Sequence, residues 1–444
     1  MRSTSWFTVY GKWGHKTLRI ISSQEFKGEI LSSLINRRRL DLSSISTKVA
    51  KIAADVKEEG DTALLRYTEE FDKVRLTTLQ LRVTENEIRE AYKNLKNEQI
   101  TALKKAAANI AVFHRKQMEK DWSLKTSKGL VLGQVIRPLK TVGVYVPGGN
   151  ASYPSSVLMC VVPAKIAGVE RVVVCTPPQR NRCITPAVLV AADIAGTNEV
   201  YRVGGAQAIA AMAYGTKTVP NVDKIVGPGN VFVTAAKMNV SRDVAIDIPA
   251  GPSEILIVAD EDANPSFVAS DLIAQAEHDP RALAILLTTS RSLAASVKDE
   301  VCKQMSLLSR TKTIQSSIET GGLIVTVDNL GEAVDYANLI APEHLEIQTK
   351  ASTEILEKVQ NAGAVFVGEY SPVAFGDYSS GLNHVLPTGG YAKFFSGLST
   401  RDFIKRINFL QCDKQGYLKL KETTVTLAEL EGLDGHARSV TIRE

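Results

Sequence analysis

Cysteine is scarce in this chain of 444 residues: five, at positions 160, 175, 183, 302 and 412, with no C-x-x-C pair. An odd, scattered set of this kind excludes a disulfide scaffold and a thiolate-held zinc. It fits a reducing compartment, so the cytoplasm is the expected location. Long apolar runs are missing as well; none approaches the ~18–20 residues that cross a bilayer, and no membrane partner is expected. Repeats, low-complexity tracts and long charge runs are absent, which leaves a pure interaction module without support. Basic residues outnumber acidic ones only by 53 to 48, and the one basic cluster, Arg37-Arg38-Arg39, precedes a helical stretch and reads as solvated surface. Nothing in that balance asks for nucleic acid. Two catalytic signatures are also lacking. Without G-x-G-x-x-G after the early strands a nicotinamide cofactor cannot be read by motif, and without H-E-x-x-H a standard zinc protease is disfavoured.

What is present is a globular composition, 44% hydrophobic and 23% charged, long enough for two or three domains. The opening "MRSTSWFTVYGKWGHK" (1–16) has no acidic residue and too few apolar ones for a secretory signal. It is expected to be a disordered extension, with an organellar transit segment as the alternative. From about 45 to 121 apolar residues recur at three- and four-residue spacing, so 17–138 is expected to be a helical region packed against the rest of the chain. After Pro138, β-rich runs alternate with helical patterns: "VGVYV" 142–146 to "DVAID" 243–247, then "EILIVA" 254–259 to "AVFVG" 364–368. The alternation predicts an α/β protein with two Rossmann-like parallel-sheet lobes, 139–250 and 251–385, and a ligand cleft between them. Residues 386–444 read as a Gly-rich turn, a helix or strand, and a short helix with a polar tail. With little apolar surface of its own, this last part is expected to pack on something else, a second subunit being one option.

Candidate chemistry gathers in a few segments. In "DLIAQAEHDPRA" (271–282) Gln275 and His278 stand three apart at the edge of an apolar helical stripe, with Asn264 and Pro265 starting the helix and Pro280 ending it. "APEHLEI" sets Glu343 beside His344 after Pro342. "FGDYSSGLNHVLPTGG" holds Asp377 and His384 in a Gly-rich loop, and "LEGLDGHA" holds Glu431 and His436. Nitrogen and oxygen donors without thiolates suit zinc or manganese. The Gly-rich stretches "VPGGNASYP" (146–154), "VGGAQAIAA" (203–211) and "VGPGN" (226–230) are places where backbone N–H groups can hold phosphates, though tight turns explain them equally well. Residue pattern alone reaches a metal-plus-acid/base site in a two-lobed protein.

Several of these motifs are long and distinctive. "AIDIPAGPSEILIVADEDANPSFVASDLIAQAEHDP", "APEHLEI", "GDYSSGLNHVLPTGGYAKF", "EGLDGHARSV", "VGVYVPGG", "VGGAQAIAAMAYGT" and "KIVGPGN" closely resemble histidinol dehydrogenases, in order, from about residue 20 to the end. The resemblance implies NAD-dependent oxidation of L-histidinol to L-histidine through L-histidinal, with one zinc per subunit. It also implies a homodimer and a fold related to aldehyde dehydrogenases. Carried over position by position, the zinc ligands would be Gln275, His278, Asp377 and His436, the last reaching in from the partner's tail. Substrate contacts would add Ser253, Glu343, His344, His384 and Glu431. NAD contacts would fall on Tyr145, Gln207 and Asn230. His344 would act as base and Glu343 would activate the water that the second oxidation needs. The lobes then become an NAD lobe (139–250) and a substrate/zinc lobe (251–385), with 386–444 exchanged between subunits. One departure is Gly435, where the family more usually has alanine; it spares the neighbouring ligand.

Three rivals stand beside this reading. An aldehyde dehydrogenase would need a reactive thiol, and Cys160 and Cys175 lie in apolar runs with no tuning base nearby, so they read as core. A metal-dependent hydrolase would use the same histidines and aspartate without a cofactor. A non-catalytic relative would keep the fold for binding, against which stands the occupation of every expected polar position.

Overall fold

The computed structural model describes residues 18–36, 43–148, 152–248 and 251–443. The expected extension 1–16, the Arg37-Arg38-Arg39 cluster and part of the 146–154 turn fall outside these.

The strands are β1 (Arg19–Ser22), β2 (Trp122–Ser127), β3 (Leu130–Pro138), β4 (Thr141–Tyr145), β5 (Arg171–Thr176), β6 (Glu199–Arg202) and β7 (Lys224–Val226). They continue with β8 (Ala245–Ile246), β9 (Glu254–Ala259), β10 (Leu283–Thr288), β11 (Gly322–Thr326), β12 (His344–Gln348), β13 (Ala364–Val367) and β14 (Ile404–Cys412). Two parallel sheets form the lobes. The first is five-stranded, in the order β6-β5-β4-β7-β8; the second is six-stranded, in the order β1-β11-β10-β9-β12-β13. Strands such as β9 and β10 are buried from end to end and, apart from Glu254 and Thr288 at their ends, apolar, because helices cover both faces, the usual cause of continuous rather than alternating hydrophobic runs. Each lobe has a core on either side of its sheet. The α/β class and the two lobes are as the alternation indicates.

In the first sheet the chain runs outward from β4 in both directions, so the strand order reverses beside β4. Crossover helices then leave opposite faces of the sheet, and a crevice opens at the carboxyl ends of the strands. Tyr145 ends β4, Gly204-Gly205 follow β6 and Gly227 follows β7, so all lie on this rim.

Two expectations need correction. The segment 17–138 is not wholly helical. Its start, β1, pairs with β11 at the edge of the second sheet, and its end forms the β2–β3 hairpin. Helical spacing does hold over Ser43–Glu59, Asp61–Tyr67, Glu85–Lys93 and Asn97–Lys116. The segments "WSLKTS" and "LVLGQVIRP" form strands because they pair with each other and with β14, which local residue preference does not encode. β14 pairs antiparallel with β3 along its whole length, so the 386–444 tail shares a three-stranded sheet with the hairpin.

The tail is also not poor in apolar surface. Leu418, Leu427 and Leu430 (81% exposed) lie open on the helix Lys414–Leu430, Ile442 (71%) just past the end of the helix Asp434–Thr441, and Ile407 and Leu410 on β14. Among the described residues no helix is long and apolar enough to cross a membrane.

Candidate active site

One cleft of ≈ 1120 Å³ runs between the lobes and takes walls from both. On the first-lobe side stand Tyr145, Gln207 and Asn230. Tyr145 is buried, and its hydroxyl accepts the Gly205 N–H at 3.1 Å. Gly227 has φ +112°, and a Cβ there would sit 2.1 Å from the Tyr145 carbonyl oxygen, so only glycine lets the turn lie so close to β4. Asn230 caps the helix Val231–Val240: its side-chain oxygen accepts the N–H groups of Phe232 (3.0 Å) and Val233 (3.2 Å). What Asn230 offers a ligand is therefore its amide N–H groups. Gln207 is 1% exposed, yet neither its side-chain oxygen nor its nitrogen has a hydrogen-bond partner among the described residues. A buried amide left bare costs roughly 1–3 kcal/mol per group, a deficit that a bound ligand would remove.

The second-lobe wall carries Ser253, Gln275, His278, Glu343, His344, Asp377 and His384. The helix Pro265–Ala276 starts where the Asn264 side chain accepts the Ser266 N–H at 2.9 Å, and it buries Val268, Leu272 and Ile273. That burial turns Gln275, 2% exposed, toward the cleft, with His278 just beyond the helix end. His278 is open to the cleft, but the surrounding protein desolvates it and, with Arg310, holds its pKa below the ordinary value despite Glu277. Asp377 rides on the helix Val373–Tyr378, whose first N–H is received by the buried Glu346 carboxylate at 3.0 Å.

Glu343 and His344 are held by one strand start. The Glu254 N–H donates to Glu343 Oε2 at 2.8 Å, and His344 Nδ1–H donates to the Glu254 carbonyl at 2.9 Å. The second bond assigns the tautomer, so Nε2 carries the lone pair. It is buried without a partner among the described residues, 3.8 Å from Asp377 Oδ1. Burial, with His278 and His384 nearby, brings the His344 pKa down to about 4. Burial also raises Glu343 well above the carboxylate range, and the charges of Glu254 and Asp377 add to this. His384 donates from Nδ1 to the Asp377 carbonyl at 3.0 Å and accepts at Nε2 from the Ser156 hydroxyl at 3.2 Å; burial takes its pKa to about 4. Both imidazoles are thus neutral at neutral pH.

Glu431 and His436 do not line the cleft of their own chain; both are exposed on the C-terminal helices. Cys160 and Cys175 are fully buried, burial pushes both thiols up, and neither faces the cleft. Three contributors carry no signal in the sequence pattern: Glu254, which acts through its backbone; Ser156; and Asn383. Asn383 donates to the Met159 carbonyl (2.7 Å) and accepts the Val385 N–H (2.9 Å), fixing the turn that presents His384.

Among the described residues no three His, Cys, Asp or Glu side chains form a group able to hold a metal. Of the four expected ligands the cleft of one chain carries three, His278, Asp377 and the Gln275 amide. Burial alone lifts Asp377 to about 7, as expected of a carboxyl without a compensating cation. A divalent ion would supply that charge, and neutral imidazole and amide donors suit it. Gln275, His278 and Asp377 thus share one cleft as donors of the type a divalent cation takes.

The depressed histidines set an acid sensitivity. His344 takes up its proton near pH 6.5 when unfolded but only near 4 when folded, so its contribution to stability is full above 6.5 and lost as pH falls toward 4. The window is worth up to ~3 kcal/mol. The raised Asp377 carboxyl acts in the opposite sense over the same window, so the check is a difference: on going from pH 6.5 to 4 metal-free wild type should fall in urea stability relative to His344→Asn. Equal losses would mean that His344 is not held neutral.

Comparison with known proteins gives a consistent picture. The family model described as histidinol dehydrogenase matches residues 35–444. The histidinol dehydrogenase of Methanothermobacter thermautotrophicus is 52% identical over 415 residues, 94% of this chain and 97% of the relative. That of Listeria monocytogenes is 50% identical over 399 residues, 90% and 93% respectively. The crystal structure of histidinol dehydrogenase from Elizabethkingia anophelis matches with a TM-score of 0.90 at 39% identity, covering 97% of this chain and 98% of that one.

Proposed function

The chain belongs to the histidinol dehydrogenase family, an oxidoreductase of histidine biosynthesis acting on histidinol, and from that premise we propose a zinc- and NAD-dependent four-electron oxidation of L-histidinol to L-histidine through L-histidinal. The observation that carries the reading is the His344 imidazole: neutral, its tautomer set by the Glu254 carbonyl, its Nε2 buried and unpartnered at the cleft wall.

Gln275, His278 and Asp377, with His436 of the partner subunit, would hold a zinc ion that would supply Lewis-acid binding of the substrate, and two NAD molecules in succession would each supply an acceptor for one hydride. His344 Nε2 accepts the carbinol proton in the first oxidation. Histidinal must then gain water before a second hydride can leave. Glu343 activates that water: Oε2 is engaged by the Glu254 N–H, which leaves Oε1 for the water. A carboxylate whose pKa is lifted by burial is a stronger base than an exposed one. His344, having passed its first proton to solvent, takes the next at Nε2 as the hydrate is oxidised. Ser253 and His384 line the substrate end, and Tyr145, Gln207 and Asn230 the NAD end. Glu431 would join the substrate contacts from the partner, as His436 joins the zinc.

The homodimer reading rests on two features of one module. Its helices leave Leu418, Leu427 and Leu430 exposed, and they carry Glu431 and His436 away from their own cleft. A two-fold exchange of tails answers both. In this reading 139–250 holds NAD, 251–385 holds substrate and zinc, 386–444 is exchanged, and the enzyme works in the cytoplasm.

The test is NADH formed per L-histidinol consumed, before and after chelation. Two NADH, lost on chelation and restored by zinc, are expected. One NADH would remove the second half-reaction and with it the role given to Glu343. None, from folded zinc-loaded protein, would favour a hydrolase or a non-catalytic relative.

A further inference from the structure

Lys237 and Asp247 form an ion pair with both side chains 3% exposed. Neither belongs to the acid/base or metal set, and such a pair is weak as a source of stability. Stripping two charges of water offsets most of their attraction, so an apolar replacement of similar volume is often neutral. The surroundings suggest another use. Lys237 Nζ also donates to the Gly227 carbonyl, while Asp247 Oδ2 accepts the Gly227 N–H at 2.7 Å. Both polar groups of one glycine are therefore held by the two ends of a single ion pair.

That glycine opens the turn leading to Asn230, and it packs against the Tyr145 backbone so closely that a Cβ would lie 2.1 Å from the Tyr145 oxygen. Tyr145 in turn receives the Gly205 N–H through its hydroxyl, two residues before Gln207. Lys237 sits on the helix that Asn230 caps, and Asp247 follows β8 and lines the cleft. One buried pair thus links the strand ends and the helix start that carry all three candidate NAD contacts.

We propose that Lys237 and Asp247 are positioning residues for the cofactor, setting the Gly227–Asn230 turn against Tyr145 and thereby the affinity for NAD, with little effect on the substrate wall. The inference rests on the NAD-dependent reading above. Because the pair acts through geometry and not through net charge, removing both charges should leave the fold intact and the cofactor site loose.

The test uses full-length, zinc-loaded enzyme as wild type, Lys237→Met, Asp247→Asn and the double variant Lys237→Met/Asp247→Leu. Calorimetric NAD titration and separate KM values for NAD and L-histidinol are the readouts, with the melting temperature as control. The double variant leaves the buried Gly227 N–H and carbonyl without these partners, so it should fold with a lowered melting temperature and bind NAD about tenfold to a hundredfold more weakly. Its KM for L-histidinol should stay within about twofold, and kcat at saturating NAD should move less than NAD affinity. The single variants each strand a buried charge; loss of folding there is consistent with the pair, and the double variant decides. Unchanged NAD affinity in a folded double variant, or equal losses for NAD and L-histidinol, overturns the positioning role. Wild type that turns over L-histidinol without binding NAD would instead remove the reading beneath it.

Discussion

Replacing His344 by asparagine is expected to lower kcat for histidinol oxidation by about 10²–10⁴-fold, the range for losing a positioned general base. The substitution is chosen to spare the scaffold. An asparagine amide can still donate to the Glu254 carbonyl, which His344 Nδ1–H reaches at 2.9 Å, but it offers no basic nitrogen at the Nε2 position. The substrate KM should change little, since the lost interaction matters most as the proton moves. The pKa of about 4 adds a further expectation. In wild type the base stays unprotonated well below pH 6.5, so mild acidification should not inactivate the enzyme through this residue. A variant with near-normal kcat would take the base role away from His344 and leave Glu343 as the first candidate.

The second large effect concerns subunit sharing. His436→Ala alone should abolish zinc retention and turnover, although His436 lies on an exposed helix away from the cleft of its own chain. If tails are exchanged, a heterodimer of one His436→Ala subunit and one His344→Asn subunit contains one doubly damaged site and one intact site. It should recover about half of the wild-type activity per dimer, by the symmetry of a two-fold exchange. Heterodimers purified through distinct tags, assayed for zinc content and NADH formation, give the answer. No recovery in verified heterodimers would place each tail on its own cleft, and would require the helix Asp434–Thr441 to move there.

Legibility in the sequence followed the range of the forces involved. Helix starts, helix ends and buried strands are local, and they read well: Asn264, Pro265 and the 268–276 apolar stripe do in the structure what their spacing indicates, and the run 254–259 is a fully buried strand. The strands β1 and β3 are not legible locally, because partners that stabilise them lie far along the chain: β1 pairs with β11 some 300 residues away, and β3 with β14. The tail differs from the expectation of little apolar surface: it carries several leucines, and only the packed structure shows that Leu418, Leu427 and Leu430 remain exposed.

The candidate site divides along the same line. Residue types and spacing led as far as nitrogen and oxygen donors for a metal and an acid/base pair, and the roles of individual residues came from resemblance to a family. The sequence by itself determined the α/β alternation, the family, and the local pairs: Gln275 with His278 at a helix end, Glu343 with His344 at a strand start. Only the tertiary structure decided that these pairs share one cleft with Asp377 and His384, and that Tyr145, Gln207 and Asn230 face them from the other lobe. It alone decided the protonation states as well. A histidine pKa of about 4 and an aspartate near 7 arise from desolvation by walls drawn from both lobes, and no local stretch of sequence encodes that burial.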